Sequence, residues 1–369
     1  MRLPSGVYHE SYTEDHAWWQ TRFVRLRMLL LLGLLVAYPF LVRLGPLGRI
    51  PQLQVPVAIR IGYFILMAMG VQLLIGYTGE ITLGHTAFVA VGAYASAAVL
   101  LRVPWPEAVR HSGLLYPFSV VVGALAAGLW SVLFGLPSAR IKGFYTIMTT
   151  MAAQFITVNL FITQYVSMSE GRVLSWDIPK SLVKIGPWRV AGSNTAVYYW
   201  MVFLVVLCVV LMANLARTRV GRAWVAIRDN DIAAEVIGVD VYRYKLLAYF
   251  VAGAFAGVAG AFLISKQPFI SQEDFTFVLS LELVGVILIG GLGSNYGTIF
   301  GCMFWVLADS ILVSLVQPLS VIVPQLQPAY FRQMGFGLAI ILFLIFEPNG
   351  LAYRWWQIKN WIHLWPFSY

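Results

Sequence analysis

Gly76-Tyr77-Thr78-Gly79-Glu80-Ile81-Thr82-Leu83-Gly84-His85-Thr86-Ala87-Phe88 joins two apolar stretches, 57–76 and 81–101, with almost no hydrophilic loop between them. Gly76, Gly79, Gly84 and the later Gly92 interrupt the pattern, which places a turn or break of the backbone close to a membrane interior. Carbonyls and amides freed at that depth must face protein or a water-filled path. Two readings stand side by side. In one, a broken helix offers its half-helix termini to a polar or zwitterionic solute, and Gly76, Thr78, Gly79, Glu80, Gly84 and His85 form a candidate translocation path. In the other, small residues pack a tight helix–helix turn, Glu80 caps a helix start and His85 hydrogen-bonds locally.

Composition carries the membrane reading outward to the whole chain. Of 369 residues 60% are hydrophobic and 11% charged, whereas an average soluble domain has about 25% charged residues. Further apolar runs lie at Met28–Phe40, Tyr116–Leu136, Val197–Leu215 and Ile340–Phe346. The fold expected is an all-α polytopic membrane protein of about ten transmembrane helices. They fall near 28–42, 57–76, 81–101, 117–137, 143–163, 197–215, 245–265, 277–296, 299–318 and 333–348. This divides the chain into a cytoplasmic tail 1–27, a transmembrane domain 28–350 and a C-terminal tail 351–369. Arg22, Arg25 and Arg27 precede the first run without a small-residue cleavage motif behind it, so that run reads as a retained span.

The formal charge of +9 does not point to nucleic acid, because the basic residues are spread over short inter-helix segments. The compact 216–245 segment carries Arg217, Arg219, Arg222, Arg228, Arg243 and Lys245, against Arg172, Lys180, Lys184 and Arg189 over 164–196. That density places both termini and 216–245 in the cytoplasm, and 164–196 outside, where a short interfacial helix could form. Trp18, Trp19, Trp355, Trp356, Trp361 and Trp365 cluster at the chain ends, where headgroups favour such rings. Cys208 and Cys302 lie in apolar runs and read as small buried hydrophobes, with no disulfide framework or metal cluster indicated. A phosphate loop ending in Lys-Ser/Thr is absent, so any ATP use belongs to another chain.

A second glycine-rich stretch, Gly290-Gly291-Leu292-Gly293-Ser294-Asn295-Tyr296-Gly297, separates the eighth and ninth spans as 76–84 separates the second and third. Matching breaks of this kind suggest an internal repeat and add Gly291 and Gly293 to the candidate path. Glu282 and Asp309 flank it inside apolar runs, so each should face the bundle interior or an aqueous route. Both solute contact and helix-holding roles fit them.

The most informative segment runs from Arg217 to Asp240. Ala223, Trp224 and Ile227 form one apolar side of a short helix. Asp231 is placed to cap a second helix containing Ile232, Glu235 and Val236, and Gly221 and Gly238 punctuate the ends. A merely solvated basic loop needs neither this alternation nor these apolar faces. The segment therefore reads as a helix–turn–helix lying along the membrane and docking a cytoplasmic partner, with Gly221, Arg222, Ala223, Ile227, Arg228, Asp229, Asp231, Ala234 and Glu235 as its contact set.

Taken together, these residues resemble a known family. The combination of Gly76-Tyr77-Thr78-Gly79, Leu83-Gly84-His85-Thr86-Ala87-Phe88, Gly221-Arg222-Ala223-Trp224, Ile227-Arg228-Asp229-Asn230-Asp231-Ile232-Ala233-Ala234, Tyr244-Lys245-Leu246 and Ala254-Phe255-Ala256-Gly257-Val258-Ala259-Gly260 is similar to permeases of high-affinity branched-chain amino acid import systems. The likeness covers about 55–350 and favours the larger of the two permease subunits. It implies a bacterial inner-membrane, multi-pass transport subunit that is not itself an enzyme and binds no cofactor. Its implied partners are a second permease, two cytoplasmic ATPase subunits holding ATP and Mg, and an extracytoplasmic solute-binding protein. Residues 221–237 would be the coupling loop seated in an ATPase cleft. Leu, Ile and Val are the implied solutes, with urea or short amides as the alternative. A stand-alone secondary transporter or channel is the competing class, since Glu80, Glu282 and Asp309 supply intramembrane carboxylates.

Overall fold

An apolar chain in a bilayer finds no water for its backbone, so it satisfies N–H and C=O groups internally as helices. The computed structural model describes residues 22–45, 50–107, 109, 112–141, 143–164, 175–267, 269–322 and 328–364. Its helices are α1 (Arg22–Leu44), α2 (Val55–Val71), α3 (His85–Leu101), α4 (Leu115–Ser138), α5 (Phe144–Phe155), α6 (Asn194–Arg217), α7 (Arg219–Asp229), α8 (Asp231–Val236), α9 (Val241–Lys266), α10 (Phe277–Gly290), α11 (Asn295–Ile322), α12 (Pro328–Phe346) and α13 (Gly350–Leu364). Wide π turns prolong α2 over Gln72–Tyr77 and α5 over Ile156–Ile162.

Helices lie over every stretch read as a span. Among the described residues, however, six are long and apolar enough to cross a membrane, or seven if the α12–α13 pair, bent by 46°, counts as one. The expected count of about ten is not reached by that measure, and the shortfall has local causes. The chain over 79–84 is non-helical, so α3 begins only at His85; α5 passes into a π turn after 12 residues; α10 ends after 14 residues at Gly291, whose φ is 113°. Of the segments read as tails, residues 22–27 continue into α1 and 351–364 form α13, while 1–21 lies outside the described residues.

The core is built on α9, which packs most extensively against α4 and α3. Lipid tails are as apolar as leucine, so helices associate through close van der Waals fit, and small residues permit it. A Cβ on Gly260 would sit 2.1 Å from the Val89 carbonyl oxygen, and one on Gly92 would sit 2.3 Å from the Gly257 Cα. Buried hydroxyls reinforce the contact: Ser131 donates to the Tyr249 carbonyl at 2.6 Å and Ser96 to the Ser119 carbonyl at 2.8 Å. α1 is peripheral, with Leu30 and Leu34 exposed.

Between α5 and α6, the described part of the excursion is stranded rather than helical. β1 (Ser175–Asp177) pairs antiparallel with β4 (Phe269–Ser271), setting Trp176 opposite Ile270, and β2 (Lys184–Ile185) pairs with β3 (Trp188–Arg189). The region holding Ser167, Ser169, Glu170 and Gly171 lies outside the described residues. Trp176 is fully buried against Tyr94, ring centroids 5.5 Å apart, with the Arg102 guanidinium 4.9 Å from its ring. The length of α6 puts this excursion and the α7–α8 pair at opposite ends of the bundle.

Gly260→Ala should therefore destabilise the detergent-solubilised protein by about 1–3 kcal/mol through overpacking. Gly33→Ala, where nothing lies within 4 Å of the added methyl, should leave the thermal midpoint unchanged. Equal midpoints for the two variants would remove the close approach of α9 and α3 from the stability argument.

Candidate functional site

The α7–α8 pair starts with Thr218, whose hydroxyl accepts from the Gly221 amide and so caps α7. Hydrophobic spacing then turns Ala223, Trp224 and Ile227 inward, where all three are buried together with Gly221. Trp224 Nε1 donates to the Tyr244 carbonyl at 2.8 Å, tying α7 to the first turn of α9. Two expectations need correction. The cap of α8 is Asn230, whose Oδ1 accepts from the Ala233 amide at 3.1 Å, while Asp231 occupies the first helical turn. Gly221 lies inside α7 rather than at an end; a Cβ there would meet the Leu215 carbonyl oxygen at 2.5 Å, so it permits the sharp return of the chain from α6. Gly238, with φ of 89°, does end the pair. Ala234 is buried, and Arg222, Asp229 and Glu235 are exposed. The outer face of α8 and the turn behind it carry Ile232, Val236 and Ile237 at 65%, 83% and 74% exposure.

Arg228 connects this pair to both glycine breaks. Its Nη1 donates to the Gly76 carbonyl at 2.7 Å, and its Nη2 lies 3.4 Å from Asp229. A Cβ on Gly293 would sit 2.7 Å from Arg228 Nη1, and one on Gly76 would sit 2.6 Å from the Gly293 amide nitrogen. Gly79, at φ of 75°, lies under the Arg228 side chain. Gln72 Nε2 donates to the Gly291 and Ser294 carbonyls at 3.2 and 3.0 Å, and the Tyr77 hydroxyl donates to Asn295 Oδ1 at 3.2 Å. Gly76, Gly79, Gly291 and Gly293, read as path candidates, thus meet each other and the α7 helix in one junction. Beside it, Glu80 is not a helix cap; it forms a buried ion pair with Lys245 of α9 at 2.5 Å. Thr78 donates back to the Leu74 carbonyl at 2.6 Å.

Gly84 and His85 sit deeper. A Cβ on Gly84 would lie 1.9 Å from the Thr150 carbonyl oxygen. His85 is buried edge-on to Phe88 with neither ring nitrogen in a well-formed hydrogen bond, although the Met67 backbone is close enough to interact with it. Next to it, Thr86 and the Ala87 amide donate to Gln154 Oε1 of α5 at 3.0 and 2.8 Å, and Gln154 Nε2 donates to the Phe275 carbonyl at 2.8 Å. Gln154 forms the inner wall of a cleft of about 700 Å³ between α5 and the 269–277 segment, which Asn159, Gln272, Glu273, Phe269 and Phe277 also line. None of these was a sequence candidate. The available signal was amide side chains, Gln154 and Asn159, inside an otherwise apolar span. Among the described residues no three His, Cys, Asp or Glu side chains gather as a metal site.

A junction of two glycine breaks under an amphipathic helix pair invites comparison with known transport proteins. The family of branched-chain amino acid transport system permease components matches residues 55–344. The chain belongs to that family. The permease is similar to the high-affinity branched-chain amino acid transport system permease protein LivM of Escherichia coli, 26% identical over 347 residues, covering 89% of this chain and 74% of the relative. It is also similar to a probable LivM of Methanocaldococcus jannaschii, 22% identical over 79% of this chain and 90% of the relative. LivH of Salmonella typhimurium, another permease protein of such a system, is 23% identical over 79% of this chain and 91% of the relative. No solved structure matches.

In the permease the remaining candidates lie elsewhere. Asp309 of α11 is fully buried between Arg60 of α2, at 2.6 Å, and Arg332 of α12, at 2.5 Å. Glu282 of α10 is within electrostatic reach of the same three groups. Asp309 thereby holds three helices together, away from the Gly291–Gly293 break.

Removing one partner of a buried ion pair strands the other charge and costs about 3–5 kcal/mol, whereas replacing both with apolar groups is often neutral. Glu80→Leu and Lys245→Met should each lower the unfolding midpoint in detergent, and the double variant should recover most of the loss. Losses that simply add would show that the pair is not coupled.

Proposed function

We propose that this chain is the larger permease subunit of an ATP-driven importer for branched-chain amino acids. Its partners on this reading are a second permease, two ATPase subunits that hold ATP and Mg, and an extracytoplasmic solute-binding protein. The chain sits in the bacterial inner membrane with both termini and α7–α8 in the cytoplasm and the 175–193 strands outside. It supplies a route rather than bond chemistry. The observation that carries the reading is the α7–α8 pair: an exposed apolar tip at Ile232, Val236 and Ile237, backed by an arginine that reaches the Gly76 carbonyl. Exposed apolar patches rimmed by polar groups mark protein contacts. Closure of the ATPases moves α8, and Arg228 carries that movement to both breaks. The branched-chain assignment rests on the family and on the named relatives, among which urea and short-amide carriers do not figure.

A hydrogen bond from a charged donor contributes about 1.5–3 kcal/mol, enough to matter tenfold or more in a coupled step. Arg228→Ala in reconstituted vesicles should retain ATP hydrolysis while leucine uptake per ATP falls about tenfold. Val236→Asp should instead release the ATPases on co-purification in mild detergent. Unchanged uptake per ATP in the first variant, with the ATPases still bound, would refute the coupling role. Orientation has its own check: Lys180 and Lys184 should react with a membrane-impermeant amine reagent on intact cells, and reaction only after lysis would invert the arrangement.

A further inference from the structure

The junction under α7 is packed, and its carbonyls are occupied by Gln72 and Arg228. The cleft beside α5 is different in kind. Its volume, about 700 Å³, falls in the range of small-molecule sites, roughly 300–1,000 Å³, and its chemistry is divided. Gln272 Nε2 donates to Asn159 Oδ1 at 2.6 Å, and Gln272 Oε1 is itself held by Thr163 at 2.8 Å. Asn159 is therefore fixed by its oxygen, with its amide N–H groups uncommitted among the described residues.

The turn Gln272–Phe275 sorts its two carboxylates. Asp274 accepts from the Ser271 amide at 2.9 Å and closes a capping box, so it is used in the turn. Glu273 lines the cleft, is exposed, and has no ion pair among the described residues. Phe155 and Phe277 stack with centroids 5.7 Å apart and provide an aromatic wall. Among the described residues no lysine or arginine lines the cleft.

Lipid is an improbable neighbour for this face on energetic grounds. A carboxylate and an uncommitted amide beside the spanning helices are expensive in hydrocarbon, and such groups face water or protein. Their neighbours Ile156 and Leu160 on the same π turn are exposed and apolar, so the polar groups are confined to the cleft.

We propose that the cleft between α5 and residues 269–277 is a subsite for a zwitterionic amino acid with an apolar side chain. Asn159 donates to its carboxylate, Glu273 accepts from its ammonium, and Phe155 and Phe277 receive the side chain. A dicarboxylic solute is disfavoured by the Glu273 carboxylate, which would repel its second negative charge. This inference rests on the import reading above and adds the place where the permease itself meets its cargo.

The test uses the complete transporter in proteoliposomes, with Cys208→Ala and Cys302→Ala as background and a single Thr276→Cys substitution in the lining of the cleft. This position should react with a charged, membrane-impermeant thiosulfonate. L-leucine at roughly four times its Kd should slow the reaction about fivefold, and L-glutamate at the same concentration should not. Adding Glu273→Gln should keep reactivity at Thr276→Cys but abolish leucine protection, and Glu273→Asp should restore part of it. Reaction only with lipid-soluble N-ethylmaleimide, or reaction indifferent to leucine, overturns the subsite. A complex that transports leucine with indifferent labelling defeats the subsite alone, whereas a chain that recruits no ATPase defeats the import reading beneath it.

Discussion

Backbone groups released at a helix break have no water to turn to inside a bilayer, and everything distinctive about this structure follows from how that demand is met. The chain breaks twice, after Tyr77 and after Gly290, and each break exposes carbonyls. Each break satisfies itself only in part, as where Thr78 and the Glu80 amide donate to the Leu74 carbonyl. Gln72, from the last turn of one broken helix, donates to the Gly291 and Ser294 carbonyls of the other, and Arg228 donates to the carbonyl of Gly76. The glycines are required because the backbones approach so closely that a methyl at Gly76 would lie 2.6 Å from the Gly293 nitrogen. The α7 helix is thus part of the solution to a membrane problem.

The same constraint explains where ionisable groups are tolerated. Glu80 and Lys245 are buried together at 2.5 Å, and Asp309 is enclosed by Arg60 and Arg332. Each set joins elements distant in sequence: the first fixes the broken segment to α9, the second fixes α11 to α2 and α12. Intramembrane charge of this kind is costly unless paired. Here Asp309 is held in the way its helix-holding reading describes, and Glu80 is paired with α9 rather than capping a helix start.

How much of this could be read from the chain follows the range of the interactions. Periodic patterns are local, so the helices and the buried Ala223–Trp224–Ile227 face were legible, as were both glycine breaks. Asn230 and Asp231 are adjacent good caps, and tertiary placement selected Asn230, which no local rule decides. That the two breaks touch, and touch Arg228, depends on contacts more than 150 positions apart. The cleft was invisible for the same reason: Gln154 and Asn159 acquire meaning only when Gln272 and Phe275 arrive beside them. Residues 351–364, read as the C-terminal tail with Trp355, Trp356 and Trp361 suited to headgroups, form the helix α13, and rings at an interface are equally compatible with a helix.

The junction and the cleft are joined through the interior by fixed polar contacts rather than by proximity alone. From Arg228 and Gly76 the chain runs to Glu80, pinned on Lys245. The Leu83 amide donates to Thr150 of α5 at 3.2 Å, and Thr86 opens α3 while donating to Gln154. Gln154 then holds the Phe275 carbonyl, at the edge of the cleft. The segment 79–84 between these anchors is non-helical, so it has no internal hydrogen-bond ladder to stiffen it. Helices on either side are packed through glycines and serines and resist deformation. A shift of α7 would therefore bear first on this segment, the part of the route that no helical hydrogen bonding stiffens. The breaks whose carbonyls Gln72 and Arg228 satisfy also leave a compliant link between α2 and α3 that a continuous helix in the same position would lack.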